Sequence, residues 1–298
     1  QRRAPRSDLR RLRASAMSVA AAGKVGTAER FRRELTTKRV VIGFLIAAVG
    51  LASIFNPIAF AIVITSIGVI GAVEFSNIAR RAGGEVALPI AVAACAAYPV
   101  LAYFHLLGRY ESALIVVIVL LSFVASLSTQ LERFADRVAM TVLTTLYLGK
   151  LLSYFIILRQ QPDGARITLW LIVIVALTDI VAMIAGLGFG HRPLAPKLSP
   201  SKTQEGAIAA LVVATLVGAA MWWVMQLHLP WWMAFAFPLS VSVAAEFGDL
   251  VESALKRNAN LKDSGQLIAG HGGVLDRFDS YVFAAVVGYA MLLFAGRV

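Results

Sequence analysis

Residues 231–252 read WWMAFAFPLSVSVAAEFGDLVE, and this stretch decides the fold class. Its apolar part has the character of a membrane helix, since a span needs about 20 mostly apolar residues to cross roughly 30 Å of hydrocarbon. Three acids nevertheless close the run: Glu246, Asp249 and Glu252. A further acid, Asp179, sits inside the apolar run 167–186. An acidic side chain at a helix centre costs about 2.5 to 3.5 kcal/mol on insertion scales, so four unpaired ones would cost on the order of 10 kcal/mol. They must line a wet or metal-filled cavity. The i, i+3, i+6 spacing puts neighbouring carboxylates about 60° apart around a helix, so Glu246, Asp249 and Glu252 share one broad face. Such hard oxygens suit Mg²⁺, which usually takes one or two protein carboxylates together with substrate phosphates. At this point two readings stand open, an enzyme site or an ion pathway in a transporter.

The rest of the chain is of the same kind. It is 59% hydrophobic and only 15% charged, with a mean hydropathy of +0.76, well away from the balance of a soluble domain. Apolar runs separated by polar or Gly/Pro breaks predict nine spans, at 39–54, 57–75, 86–106, 112–129, 138–158, 167–186, 206–227, 231–252 and 280–296. The single cysteine, Cys95, lies in an apolar run and reads as packing; it excludes an intrachain disulfide and a cysteine-rich metal site. Trp222, Trp223, Trp231 and Trp232 bracket one turn, as an interfacial aromatic belt would.

The net charge of +11 invites nucleic acid as a partner, but the positions of the charges point elsewhere. Of 28 Lys and Arg, twelve lie before Val40, ahead of the first expected span. A basic tail of this kind fits cytoplasmic retention and attraction to anionic lipid headgroups, and no nucleic-acid partner is expected. A short apolar core with a small-residue cleavage site does not follow these charges closely, so the tail does not read as a cleavable signal peptide. With the N-terminus inside, loops 76–85, 130–137, 187–205 and 253–279 carry eleven Lys and Arg, against four on the other side. That asymmetry sets the expected orientation. The two longest internal loops, 187–205 and 253–279, then face the cytoplasm, where a soluble nucleotide is found.

Directly after the acidic run come Ser253, Lys256-Arg257, Lys262-Asp263, Gly270-His271-Gly272-Gly273 and Asp276-Arg277-Phe278-Asp279. With so many fixed polar and glycine positions within 27 residues, the sequence resembles the phosphatidate cytidylyltransferase family, whose C-terminal motif carries these residue types at this spacing. A second, weaker match runs through Asp179, Gly186, Phe189-Gly190, Ser199-Pro200, Lys202-Thr203 and Glu205-Gly206. Three positions depart from the family pattern: Ser201 in place of a lysine, Met183 near the usual place of an aromatic, and Ala269 in place of a proline. The resemblance covers about 170–298; the first 170 residues match only as a series of spans.

The resemblance implies an all-α polytopic membrane enzyme of about nine transmembrane helices, with its N-terminus and a polar cavity on the cytoplasmic side of a bacterial-type inner membrane. The expected organisation is a basic tail over 1–38, N-terminal transmembrane helices over 39–166, and a catalytic transmembrane region over 167–298. The implied reaction joins CTP to phosphatidic acid, giving CDP-diacylglycerol and pyrophosphate in phospholipid biosynthesis. Membrane lipids are the surroundings, and a homodimer is the assembly the resemblance implies. A phosphomonoester has a second pKa of about 6, so the attacking oxygen is largely ionised at neutral pH and no strong general base is needed. The difficulty is bringing together two polyanions, a matter of positioning and charge neutralisation by metal, Lys and Arg.

On this basis Asp249, Asp276 and Asp279 are expected to hold Mg²⁺ or another divalent cation, with Glu246 and Glu252 as further ligands. Lys256, Arg257, Lys262 and Arg277 are expected at phosphates of CTP or lipid, with Ser253 and Asp263 beside them. Gly270, Gly272 and Gly273 would let backbone N–H groups approach an anion, and His271 would add a donor there. Lys202 either binds phosphate or belongs to the start of the helix over 206–227. Two alternatives remain: cytidylyl transfer to another lipid phosphate of the isoprenoid ether type, and an ion-coupled transporter, which leaves the Lys/Arg and His-Gly-Gly segment unexplained.

Overall fold

A computed structural model describes residues 43, 45, 48–265 and 272–297. The architecture below is that of the unit built on Val49–Ile268 and Gly272–Val298. The basic tail over 1–38 and part of the span expected at 39–54 lie outside the described residues, as do Ala269, Gly270 and His271.

The helices are α1 (Pro57–Arg81), α2 (Leu88–Tyr103), α3 (Leu107–Ser126), α4 (Phe134–Thr145), α5 (Leu151–Arg159), α6 (Gly164–Phe189), α7 (Gln204–Val224), α8 (Met233–Asn258) and α9 (Leu275–Phe294). A π turn, Leu146–Lys150, joins α4 to α5. A two-stranded antiparallel hairpin, β1 (Pro193–Ala195) and β2 (Ser199–Thr203), connects α6 to α7. Among the described residues seven helices are long and apolar enough to cross a membrane: α1, α3, the continuous rod Leu131–Arg159, and α6 to α9. The run expected at 86–106 forms α2, which is apolar but only 16 residues long.

Local chemistry sets the starts. Asn56 Oδ1 accepts from the N–H groups of Ile58 and Ala59 at 3.0 Å each, and Pro57 fills the first position of α1. At α7, Thr203 Oγ1 accepts from Gly206 N at 3.1 Å. Glu205, in the same turn, turns back to the hairpin and accepts from the N–H groups of His191 and Arg192.

Two boundaries differ from the sequence expectation in a way that matters. Helix α8 continues to Asn258, six residues past the expected end at 252, and α9 begins at Leu275, five before 280. Ser253, Lys256 and Arg257 therefore stand on the last turns of one helix, and Asp276, Arg277 and Asp279 on the first turns of the next. The reason is pairing at i, i+4: Ser253 Oγ donates to Asp249 Oδ1 at 3.3 Å, and Lys256 pairs with Glu252. Such pairs keep a polar sequence helical beyond the apolar run.

Packing brings α6, α7 and α8 together around Trp170. Its ring stacks on Phe237 at 4.4 Å, and its indole N–H donates to Gly218 O at 2.8 Å. Cys95 is buried in the core. Lys150, within the span expected at 138–158, pairs with Glu111 of α3 and lies 5.1 Å from the Tyr154 ring centroid.

Candidate active site

The acidic face of α8 meets the β-hairpin. Lys202 Nζ, on β2, lies 2.9 Å from Glu246 Oε2 and 2.7 Å from Asp249 Oδ2. Burial works against its charge, and Asp249 and Glu246 more than offset this, holding the Lys202 ammonium above the usual lysine range. Lys202 therefore touches the acidic face of α8 besides preceding the α7 cap. Arg257 fastens the same two segments, its Nε donating to Leu198 O at 3.2 Å and a terminal nitrogen to Leu261 O at 3.3 Å.

One turn further along α8, Lys256 stands between Glu252, which is fully buried, and Asp276, whose Oδ1 lies 2.7 Å from Nζ. Asp276 is a hub. Its carboxylate also accepts from Ser264 N at 2.9 Å, Ser264 Oγ at 2.9 Å and Gly273 N at 2.7 Å. These bonds join the two ends of the segment that carries the glycine motif. Gly272 has φ +80°, a left-handed conformation that L side chains rarely adopt, and its place in the motif follows from that.

Asp279 is buried on α9, with Oδ1 accepting from the N–H of Ser280 at 2.7 Å. The backbones of α8 and α9 meet beside it, where a Cβ on Gly248 would sit 2.5 Å from the Asp279 carbonyl oxygen. Lys262 and Asp263 are exposed in the bend after α8, and Arg277 is exposed on the first turns of α9. Asp179 is exposed on α6. Gly186, Gly190 and Gly206 allow α6, the hairpin and α7 to close on Thr203, which explains the glycines of the weaker match.

One residue escaped the sequence reading. Glu74, near the end of α1, is 2% exposed and takes hydrogen bonds from Val274 N at 2.9 Å and Leu275 N at 2.8 Å. Ser264 Oγ lies 3.3 Å from its Oε2. Its acid sits at the tail of an apolar run, next to Ser76 and Asn77, and so resembles an ordinary helix end. The signal available was an acid inside the apolar run expected at 57–75.

The donor chemistry fits a divalent cation. Glu246 Oε1 is buried with no hydrogen-bond partner among the described residues, and Asp249 beside it is only partly covered. Among the described residues no three His, Cys, Asp or Glu converge as a metal held by protein alone would need. Mg²⁺ does not need three, since one or two carboxylates suffice when phosphates complete the shell.

A cluster of lysines and carboxylates at the ends of apolar helices has the chemistry to hold phosphate groups. The chain matches the model of the cytidylyltransferase family over residues 37–295. It is 36% identical over 187 residues to the phosphatidate cytidylyltransferase of Bacillus subtilis (strain 168), covering 62% of this chain and 69% of that protein. The phosphatidate cytidylyltransferase of Helicobacter pylori is 40% identical over 154 residues, covering 51% of this chain and 56% of the relative. That of Staphylococcus haemolyticus is 38% identical over 165 residues, covering 55% and 62%. The chain therefore belongs to the cytidylyltransferase family and is an enzyme, which removes the transporter reading.

Proposed function

We propose that this enzyme transfers the cytidylyl group of CTP to phosphatidic acid at the inner membrane of a bacterium, with the site open to the cytoplasm and the nine expected spans around it. The observation that carries this reading is that Lys202 of the hairpin and Lys256 of α8 are each shared between two carboxylates, three from the acidic end of α8 and one, Asp276, from α9. The names of the relatives supply the substrates, and the arrangement supplies the chemistry they need.

A phosphatidate oxygen attacks the α-phosphorus of CTP. The new P–O bond forms as the bond from that phosphorus to the bridging oxygen of pyrophosphate breaks, and pyrophosphate leaves with the electron pair. The nucleophile is already anionic, so the residues have to hold two anions together and stabilise the one that departs. Lys202 and Lys256 are paired with carboxylates, and arriving phosphate oxygens compete with those carboxylates for the ammonium groups. Arg257, Lys262 and Arg277 add cations at the mouth, and Gly270, His271 and Gly272 supply donors from the glycine segment, the Gly273 N–H being held by Asp276. One or two of Asp249, Asp279 and Glu246 would hold a divalent cation, which supplies charge neutralisation between the carboxylates and the polyphosphate. Asp276 takes an organising role, since Lys256, Ser264 and Gly273 already use its oxygens.

The purified chain should release pyrophosphate from CTP only with phosphatidate and Mg²⁺ both present, and form the CDP-lipid in equal amount. Inertness toward every phospholipid acceptor would sink the reading. An ether-linked isoprenoid phosphate in the same assay tests the second lipid class, and the mass of the detergent-solubilised chain tests the homodimer.

A further inference from the structure

The motif residues account for both lysines and their acids, but not for what holds the glycine segment in register with them. Its two ends, at Ser264 and at Gly273 to Leu275, meet Glu74 of α1, about 190 residues earlier in the chain. The N–H groups of Val274 and Leu275 at the start of α9 have no acceptor within their own helix, and a carboxylate there is favoured by hydrogen bonding and by the helix dipole. Two glycines are shaped to this acid. A Cβ on Gly265 would sit 2.8 Å from Glu74 Oε1, and one on Gly273 would sit 2.7 Å from Glu74 Cδ. Ser264 Oγ then links Glu74 to Asp276, and Asp276 links to Lys256. A continuous buried chain of contacts thus runs from α1 through both ends of the segment to the lysine of α8.

We propose that Glu74 is a positioning residue for the transfer reaction: it clamps the start of α9 to the bend after α8 and so sets where Asp276 stands relative to Lys256. This rests on the functional reading above. Replacing Glu74 with Gln leaves one acceptor oxygen and turns an NH₂ donor toward backbone N–H groups, so the clamp opens while volume and burial are kept. Glu74→Asp keeps the charge and both oxygens one methylene short.

The test uses the full chain in lipid nanodiscs, with three readouts on wild type, Glu74→Gln and Glu74→Asp: amide exchange of the peptide spanning 272–280, thermal unfolding, and steady-state kinetics against CTP. Glu74→Gln is expected to speed exchange at Val274 and Leu275 at least tenfold and to lower kcat/KM for CTP tenfold or more, with part of the loss restored in Glu74→Asp. Unchanged exchange at these amides, or kinetics within twofold of wild type, overturns the proposal. So does a uniform rise of exchange across all helices, which would mark Glu74 as a general stabiliser. Should Glu74→Gln fail to fold, Ser264→Ala removes the hydroxyl link and is expected to reproduce the kinetic loss at reduced size; wild-type kinetics in that variant would count against the clamp. A wild-type chain that makes no CDP-lipid sinks the functional reading, and the exchange comparison still decides the clamp.

Discussion

Gly248 of α8 lies so close to Ser280 of α9 that a Cβ on it would sit 2.9 Å from the Ser280 Cα. This contact puts Asp249, next to Gly248, and Asp279 at the same level on two neighbouring helices. Gly248→Ala should push the helices apart, costing about 1–3 kcal/mol as overpacking does. Activity is expected to fall further than stability, because the carboxylates separate. Thermal unfolding and CDP-lipid formation on the same preparation check this, and an alanine variant with full activity would refute the closeness.

Lys256 is the described cation beside fully buried Glu252. Lys256→Met should cost about 3–5 kcal/mol, since it leaves a buried carboxylate uncompensated. The double variant Lys256→Met with Glu252→Gln is expected to recover much of that stability and none of the activity. A double-mutant cycle on unfolding free energy reads the coupling, and additive losses would contradict it.

The pH dependence of Lys202 has a definite sign. Its ammonium is held above the ordinary value of 10.5 in the folded chain. The stability it contributes is fully present below the unfolded value and is lost as pH rises through the folded one. Wild type should therefore exceed Lys202→Met in melting temperature by a constant margin from pH 7 to about 10, and the margin should shrink above that. A margin that instead widens toward high pH would show that the lysine is not held by Asp249 and Glu246.

Asp279→Asn and Asp249→Asn should each abolish pyrophosphate release, on the order of 100-fold or more as for the removal of a principal electrostatic group. The fold is expected to persist, as monitored by helical content and extraction behaviour. Chelation of divalent cations should inactivate wild type reversibly. Residual rates in either variant that still respond to Mg²⁺ as wild type does would remove that aspartate from the cation site.

Much of this protein is written in local sequence. The helices follow from runs of apolar residues of membrane length, and the acidic face of α8 follows from the helical repeat, because both depend only on neighbours in the chain. Lys256, Asp276 and Asp279 stand out in the sequence because their motif is contiguous. The ends of α8 and α9 were not, since polar residues there stay helical through pairings the hydropathy pattern does not register. Three-dimensional packing alone decided that Lys202 reaches across from the hairpin to Glu246 and Asp249, that Gly248 is a contact point, and that Glu74 holds the base of the glycine segment. A hydrogen bond between residues about 200 positions apart leaves no periodic trace in either stretch; it exists only once the helices that carry them have packed.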